Sequence, residues 1–217
     1  MSIPAKLVFE LRKATGAGMM DCKKALQETE SDFDKAVEYL QIKKKATAAK
    51  KSTRIAAEGI VGSYIHMGGK IGVICEVNIE TDFAAKNEMF TGFVQDICMH
   101  IAALGPKYVT SDEIPAEEIE RQKRIFIAQV VEEGKPEAIA EKIVAGKINK
   151  WMKQDSLLDQ KFVKDDKKTV REYQTAITGD IGEKISIRRF VRFELGEGLA
   201  KREENFAEEV AKQMGKG

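Results

Sequence analysis

"KIGVICEVNIETDFAAKNEMF", residues 70–90, changes its period halfway along. Up to Glu80, the apolar residues Ile71, Val73, Cys75, Val77 and Ile79 recur at every second position, while Gly72, Glu76, Asn78 and Glu80 fall between them. That alternation is the mark of a strand with one buried face. From Asp82 the spacing turns helical, so a corner lies at Thr81–Ala84 and carries an aromatic ring, Phe83. Corners normally face water, and a large apolar side chain set there points to a contact with another molecule.

The rest of the fold builds outward from this corner. "EGIVGSYIH" (58–66) precedes the strand through "MGGK" and predicts a hairpin. "KISIRRFVRFEL" (184–195) supplies a third strand, with Ile185, Ile187, Val191, Phe193 and Leu195 expected on one face and Ser186, Arg188, Arg192 and Glu194 on the other. Three strands are the least that make a stable antiparallel sheet. Between them Phe90, Phe93, Val94, Ile97, Ile101 and Leu104 keep helical spacing until Gly105-Pro106 ends the run. Two further helical stretches joined at "GK" predict an antiparallel helical hairpin over 115–152, and "LAKREENFAEEVAKQ" (199–213) predicts a last helix that docks through Phe206 and Val210.

Ahead of the sheet, three short helical signals stand close together. Leu7, Val8 and Leu11 share a face; "TGAG" (15–18) breaks the helix; Cys22, Ala25 and Leu26 share the next face; and Ser31, as N-cap, opens a third helix that buries Phe33, Val37 and Leu40. "QIKKKATAAKKSTRIAAEG" (41–59) reads as a helical or partly flexible linker. The expected class is therefore α+β. It comprises a three-helix module with its linker over 1–54, a core with the helical hairpin over 55–196 and a C-terminal helical module over 197–217.

The chain has 217 residues, 43% hydrophobic and 33% charged, with 36 Lys and Arg against 35 Asp and Glu. So even a balance favours neither nucleic acid nor membrane as partner. Residues 1–54 nevertheless carry twelve basic side chains against seven acidic ones. The lysine run at 43–51 reads as a solvated helix face or as an RNA patch, and no aromatic residues interleave it to stack on bases. Cys22, Cys75 and Cys98 lack metal-ligand spacing and suit a reducing, cytoplasmic setting. With two histidines, His66 at a strand end and His100 beside an apolar helical stripe, no catalytic constellation stands out. The expected protein is a non-catalytic binding protein without cofactor or metal.

Two segments carry a family resemblance. "LRKATGAGMMDCKKAL" (11–26) and "IETDFAAKN" (79–87), supported by "GSYIH", "GKIGV", "MHIAA", "GKPEAIAEKIV" and "FVRFELGEG", closely resemble bacterial translation elongation factor Ts. The resemblance implies an N-terminal module of the ubiquitin-associated type. It also implies guanine-nucleotide exchange on the GTPase elongation factor Tu, with no nucleotide held by the chain itself. In this resemblance Thr81, Asp82, Phe83 and Ala84 form the wedge that disturbs the partner's magnesium site. Arg12, Met19, Met20 and Lys23 form the N-terminal contact, although spacing alone leaves one of the two methionines as readily in the core. Ile71, Gly72 and His100 match core positions that touch the partner, and for His100 a packing role is the other reading. Shorter family members pair as homodimers through the core, so monomer and homodimer both stay open. Two rival classes remain: a peptide-capturing three-helix module, which leaves the Thr-Asp-Phe corner without a purpose, and an RNA-binding protein using the lysine run.

Overall fold

The computed structural model describes residues 3–134 and 137–200, with side chains at 137–140 left aside. Three helices come first: α1 (Ala5–Thr15), α2 (Met19–Glu28) and α3 (Phe33–Lys51). They enclose a small core of Val8, Leu11, Cys22, Ala25, Leu26, Ala36 and Leu40. Gly16, at φ 69°, supplies the left-handed residue that closes α1. The N-cap of α3 is Asp32, whose carboxylate accepts the Lys35 amide, rather than the expected Ser31, which sits at positive φ. The stretch expected to act as a linker is largely the second half of α3, an unbroken 19-residue helix.

A three-stranded antiparallel sheet follows, in the order β1 (Glu58–His66), β2 (Ile71–Ile79), β5 (Ile185–Glu194). The β1–β2 hairpin and the alternation of β2 are as expected, with Val73, Cys75, Val77 and Ile79 buried. β5 departs from its expected pattern. Glu76 pairs with Arg189 but Val77 pairs with Ile187, so Arg188 is an extra residue, a β-bulge. Ile185 and Ile187 face the core, whereas Val191, Phe193 and Leu195, expected beside them, lie on the outer, exposed side. Both guanidinium groups of the bulge bind one carboxylate, Arg188 Nη1 to Glu76 Oε1 at 2.8 Å and Arg189 Nε to Glu76 Oε2 at 2.7 Å. These two bonds hold Glu76 below the usual carboxylate range.

The inner face of the sheet packs on α5 (Glu88–Leu104), which buries Phe90, Phe93, Val94, Ile97, Cys98 and Ile101. The approach is close at Gly62, where an added Cβ would strike Val94 Cγ1 and lie 3.1 Å from Cys98 Sγ. Cys75, opposite Gly62 in the sheet, and Cys98 are both buried free thiols. The helical hairpin consists of α6 (Ala116–Glu132) and α7 (Glu137–Asp155), joined internally through Val130 and Val144.

One helix was not read from the sequence: α8 (Val170–Ile181), preceded by the short strands β3 (Lys161–Phe162) and β4 (Asp165–Thr169). Its start is a capping box in which Thr169 and Glu172 satisfy each other's backbone amides. α3 crosses α8 so closely that a Cβ on Gly179 would lie 2.6 Å from Lys44 Cβ. At the crossing Lys44 binds Asp180 at 2.7 Å and donates to the Thr15 carbonyl, which fastens the three-helix unit to the core. Burial pushes the Asp180 carboxyl up, and Lys44 offsets part of that rise. The architecture is α+β, and no helix among the described residues is long and apolar enough to cross a membrane. The helix expected at Phe206 and Val210 lies outside the described residues.

Candidate partner-binding site

The corner is built by a short helix, α4 (Asp82–Ala85), set directly on the end of β2. Thr81 is its N-cap: its Oγ1 accepts the Ala84 amide at 3.2 Å, and its own backbone remains extended. Ala84 and Ala85 turn inward and anchor the helix in the main core. Phe83, one position earlier, stays outside that core and is 84% exposed among the described residues. Asp82 is also exposed and meets Lys86 at 3.4 Å. The sequence thus places two small apolar residues where they seat the corner and one large one where it projects.

A second turn braces the corner. Gly182, Glu183 and Lys184 link α8 to β5 and lie alongside residues 80 and 81. Glu183 accepts both the Thr81 amide (3.1 Å) and the Thr81 hydroxyl (2.9 Å). In return Glu80 accepts the Lys184 amide at 2.7 Å and the Arg54 guanidinium at 2.9 Å. Desolvation works against the Glu80 anion, but the Lys184 amide and Arg54 outweigh it and hold the carboxyl below its ordinary range.

The other expected residues fall in three places. Arg12, Met19, Met20 and Lys23 are all exposed on α1 and α2, Met20 by 75%, so neither methionine belongs to the core. Met89, at the first turn of α5, lines one small cleft together with Gly16, Gly18 and Asp21. The start of α2 therefore lies beside the first turn of α5, the helix that follows the corner in the chain. Ile71 and Gly72 lie at the opposite end of β2, roughly 26 Å of strand rise from the corner. Ile71 faces the core, and Gly72 lies on the outer face, paired with Ile65 and Phe193. His66 stands at the end of β1, its Nδ1 3.1 Å from the Tyr64 hydroxyl.

His100 corrects the expectation of a direct partner contact, because its side chain is 0% exposed. The Val163 amide donates to its Nδ1 at 3.2 Å, which leaves Nε2 to donate to Gln160 Oε1 at 2.9 Å. Gln160 passes the chain on to the Gln154 carbonyl, near the end of α7. Burial lowers the histidine's pKa, with the Gln160 bond acting weakly the other way. The imidazole is a neutral internal strut at the root of the helical hairpin. The apolar stripe beside it in the sequence was the one signal of that placement.

Sequence reasoning also missed Glu183 and Met89, which carry no motif. Among the described residues no group of three His, Cys, Asp or Glu side chains could hold a metal ion. Exposed apolar side chains also gather on the outer face of the sheet, where Val61, Ile65, Ile74, Val191 and Phe193 stand together.

Comparison with known proteins matches residues 10–197 to the family model described as elongation factor TS. The chain is 59% identical over 215 residues to "Elongation factor Ts" of Citrifermentans bemidjiense, covering 99% of this chain and 100% of that protein. It is 58% identical over 215 residues to the protein of the same name from Geobacter metallireducens, with the same coverage. To that of Acetivibrio thermocellus it is 57% identical over 212 residues, covering 98% and 99%.

Proposed function

The chain belongs to the elongation factor Ts family, and from that premise we propose that it is a guanine-nucleotide exchange factor acting on elongation factor Tu in the cytoplasm. The observation that carries this reading is the Phe83 ring, 84% exposed on a corner that its neighbours hold rigidly. Phe83 enters an apolar pocket of the GTPase and displaces the elements that grip magnesium, with Asp82 beside it. Burying such a ring contributes about 1.5–3 kcal/mol from area alone. Magnesium bridges nucleotide phosphates to the protein, so disturbing it weakens GDP.

Each tenfold weakening of GDP draws on about 1.4 kcal/mol of the interface. One ring supplies one or two such factors, and the rest comes from the wider contact, including Arg12, Met19, Met20 and Lys23. Two thioether side chains at the start of α2 mould readily to a surface, while Lys23 adds a steering charge. Linkage then makes the exchange reversible: whatever affinity this chain takes from nucleotide, nucleotide takes from it, and incoming GTP expels it. The chain holds no nucleotide and performs no bond chemistry. The outer face of the sheet, with Gly72 between Ile65 and Phe193 at one end of it, serves a further protein contact, and a second copy of this chain is its occupant in a homodimer.

The deciding measurement is release of a fluorescent GDP from the cognate elongation factor Tu. Wild type should accelerate release strongly; Phe83→Ala should lose most of the acceleration, and Asp82→Ala part of it. Release by Phe83→Ala at the wild-type rate would sink the wedge.

A further inference from the structure

We propose that Glu183 is a positioning residue for exchange: from the turn between α8 and β5, its carboxylate sets the Thr81 hydroxyl so that the cap of α4 closes and Phe83 stands outward. This role rests on the wedge reading of Phe83 given above.

The geometry assigns each hydrogen. Thr81 Oγ1 has one proton, and Glu183 Oε1 accepts it at 2.9 Å. The hydroxyl's lone pairs are then free for the Ala84 amide at 3.2 Å, the cap bond that begins α4. Glu183 Oε2 takes the Thr81 backbone amide at 3.1 Å, which fixes the residue on which the chain turns. The carboxylate thus acts on both the side chain and the main chain of a single residue, two positions before the ring. Charge-assisted bonds of this kind are stronger than neutral ones. The contact spans a sequence separation of 102 residues, so it ties the corner to the far end of the fold rather than to its own helix.

A four-residue helix cannot hold its own shape, because nucleation costs more than one turn of hydrogen bonds returns. Ala84 and Ala85 supply burial beneath it. Glu183 supplies the angle. Without the carboxylate the Thr81 hydroxyl is free to rotate, the Ala84 bond loosens, and the ring samples directions in which it misses its pocket.

The test uses the full chain with the cognate GTPase loaded with fluorescent GDP, and reads the maximal release rate separately from the concentration giving half that rate. Glu183→Ala should lower the maximal rate about tenfold while shifting the half-saturating concentration far less, because the remaining contact surface is intact. Glu183→Gln, which keeps one acceptor oxygen, should fall between wild type and Glu183→Ala. In the double variant Glu183→Ala/Phe83→Ala the rate should match Phe83→Ala alone, since a residue acting through the ring has nothing left to position. If Glu183→Ala lowers the thermal midpoint appreciably, Thr81→Val, which keeps the shape and removes the hydroxyl, makes the same comparison. A wild-type maximal rate in Glu183→Ala, or losses that add in the double variant, overturns the positioning role while leaving the wedge standing. A wild-type rate in Phe83→Ala overturns the wedge itself, and the role of Glu183 with it.

Discussion

Phe83 and His100 are opposites at the residue scale. The Phe83 ring is in water in the free protein, so Phe83→Ala should change unfolding stability by less than about 0.5 kcal/mol while exchange collapses. Denaturant unfolding beside the release assay checks both halves. His100 has its whole side chain inside, and His100→Ala, which leaves Gln160 and the Val163 amide short of partners, should cost about 2–4 kcal/mol. Its pKa lies below the ordinary value of 6.5, so the unfolded chain takes up the proton first. The stability it contributes is present in full above pH 6.5 and declines as the pH falls through and below that value. Urea midpoints at pH 7.5 and 5.5 should differ more for wild type than for His100→Gln. The corner was legible in the sequence because the period changes at Thr81. The brace was not, because Glu183 is an ordinary acidic residue far along the chain whose meaning comes only from the turn that brings it back.

At the scale of elements, the crossing of α3 and α8 shows how glycine can fix a helix pair. Gly179→Val would press its side chain into Lys44, and overpacking of this kind costs about 1–3 kcal/mol. The loss should appear in denaturant unfolding, together with faster hydrogen exchange in the second half of α3. That half looked like a linker because it is rich in lysine and alanine and poor in large apolar residues. The small residue that permits the close approach, Gly179, lies on the other helix, and the α3 residue it meets is Lys44, whose charge made this half look solvated. α8 escaped notice although its capping box, Thr169 with Glu172, and its apolar positions Val170, Tyr173 and Ile177 are plain in hindsight. The charged run at Asp165–Lys168 ahead of it masks the start.

For the whole molecule, the sheet divides the protein into a filled side and an open side. The filled side joins the strands to α5 and α8; the open side carries Val61, Ile65, Ile74, Val191 and Phe193. If a second copy covers that face, Phe193→Glu should shift the sedimentation of the free protein toward monomer without disturbing its helical content, and added salt should weaken the pairing little. The reading of β2 held because its alternation runs without interruption, and that of the β1–β2 hairpin because the pairing register is unbroken; that of β5 failed after Ile187 because one residue interrupts the count. Which flank of the strand's last third is oily is therefore a matter of parity. Any replacement at Arg188 keeps the arithmetic, whereas removing that single position would exchange Val191 and Phe193 with Arg192 and Glu194. The greasy exterior would go inward, and the Phe190 ring would come out together with two charges, with every amino acid type there unchanged.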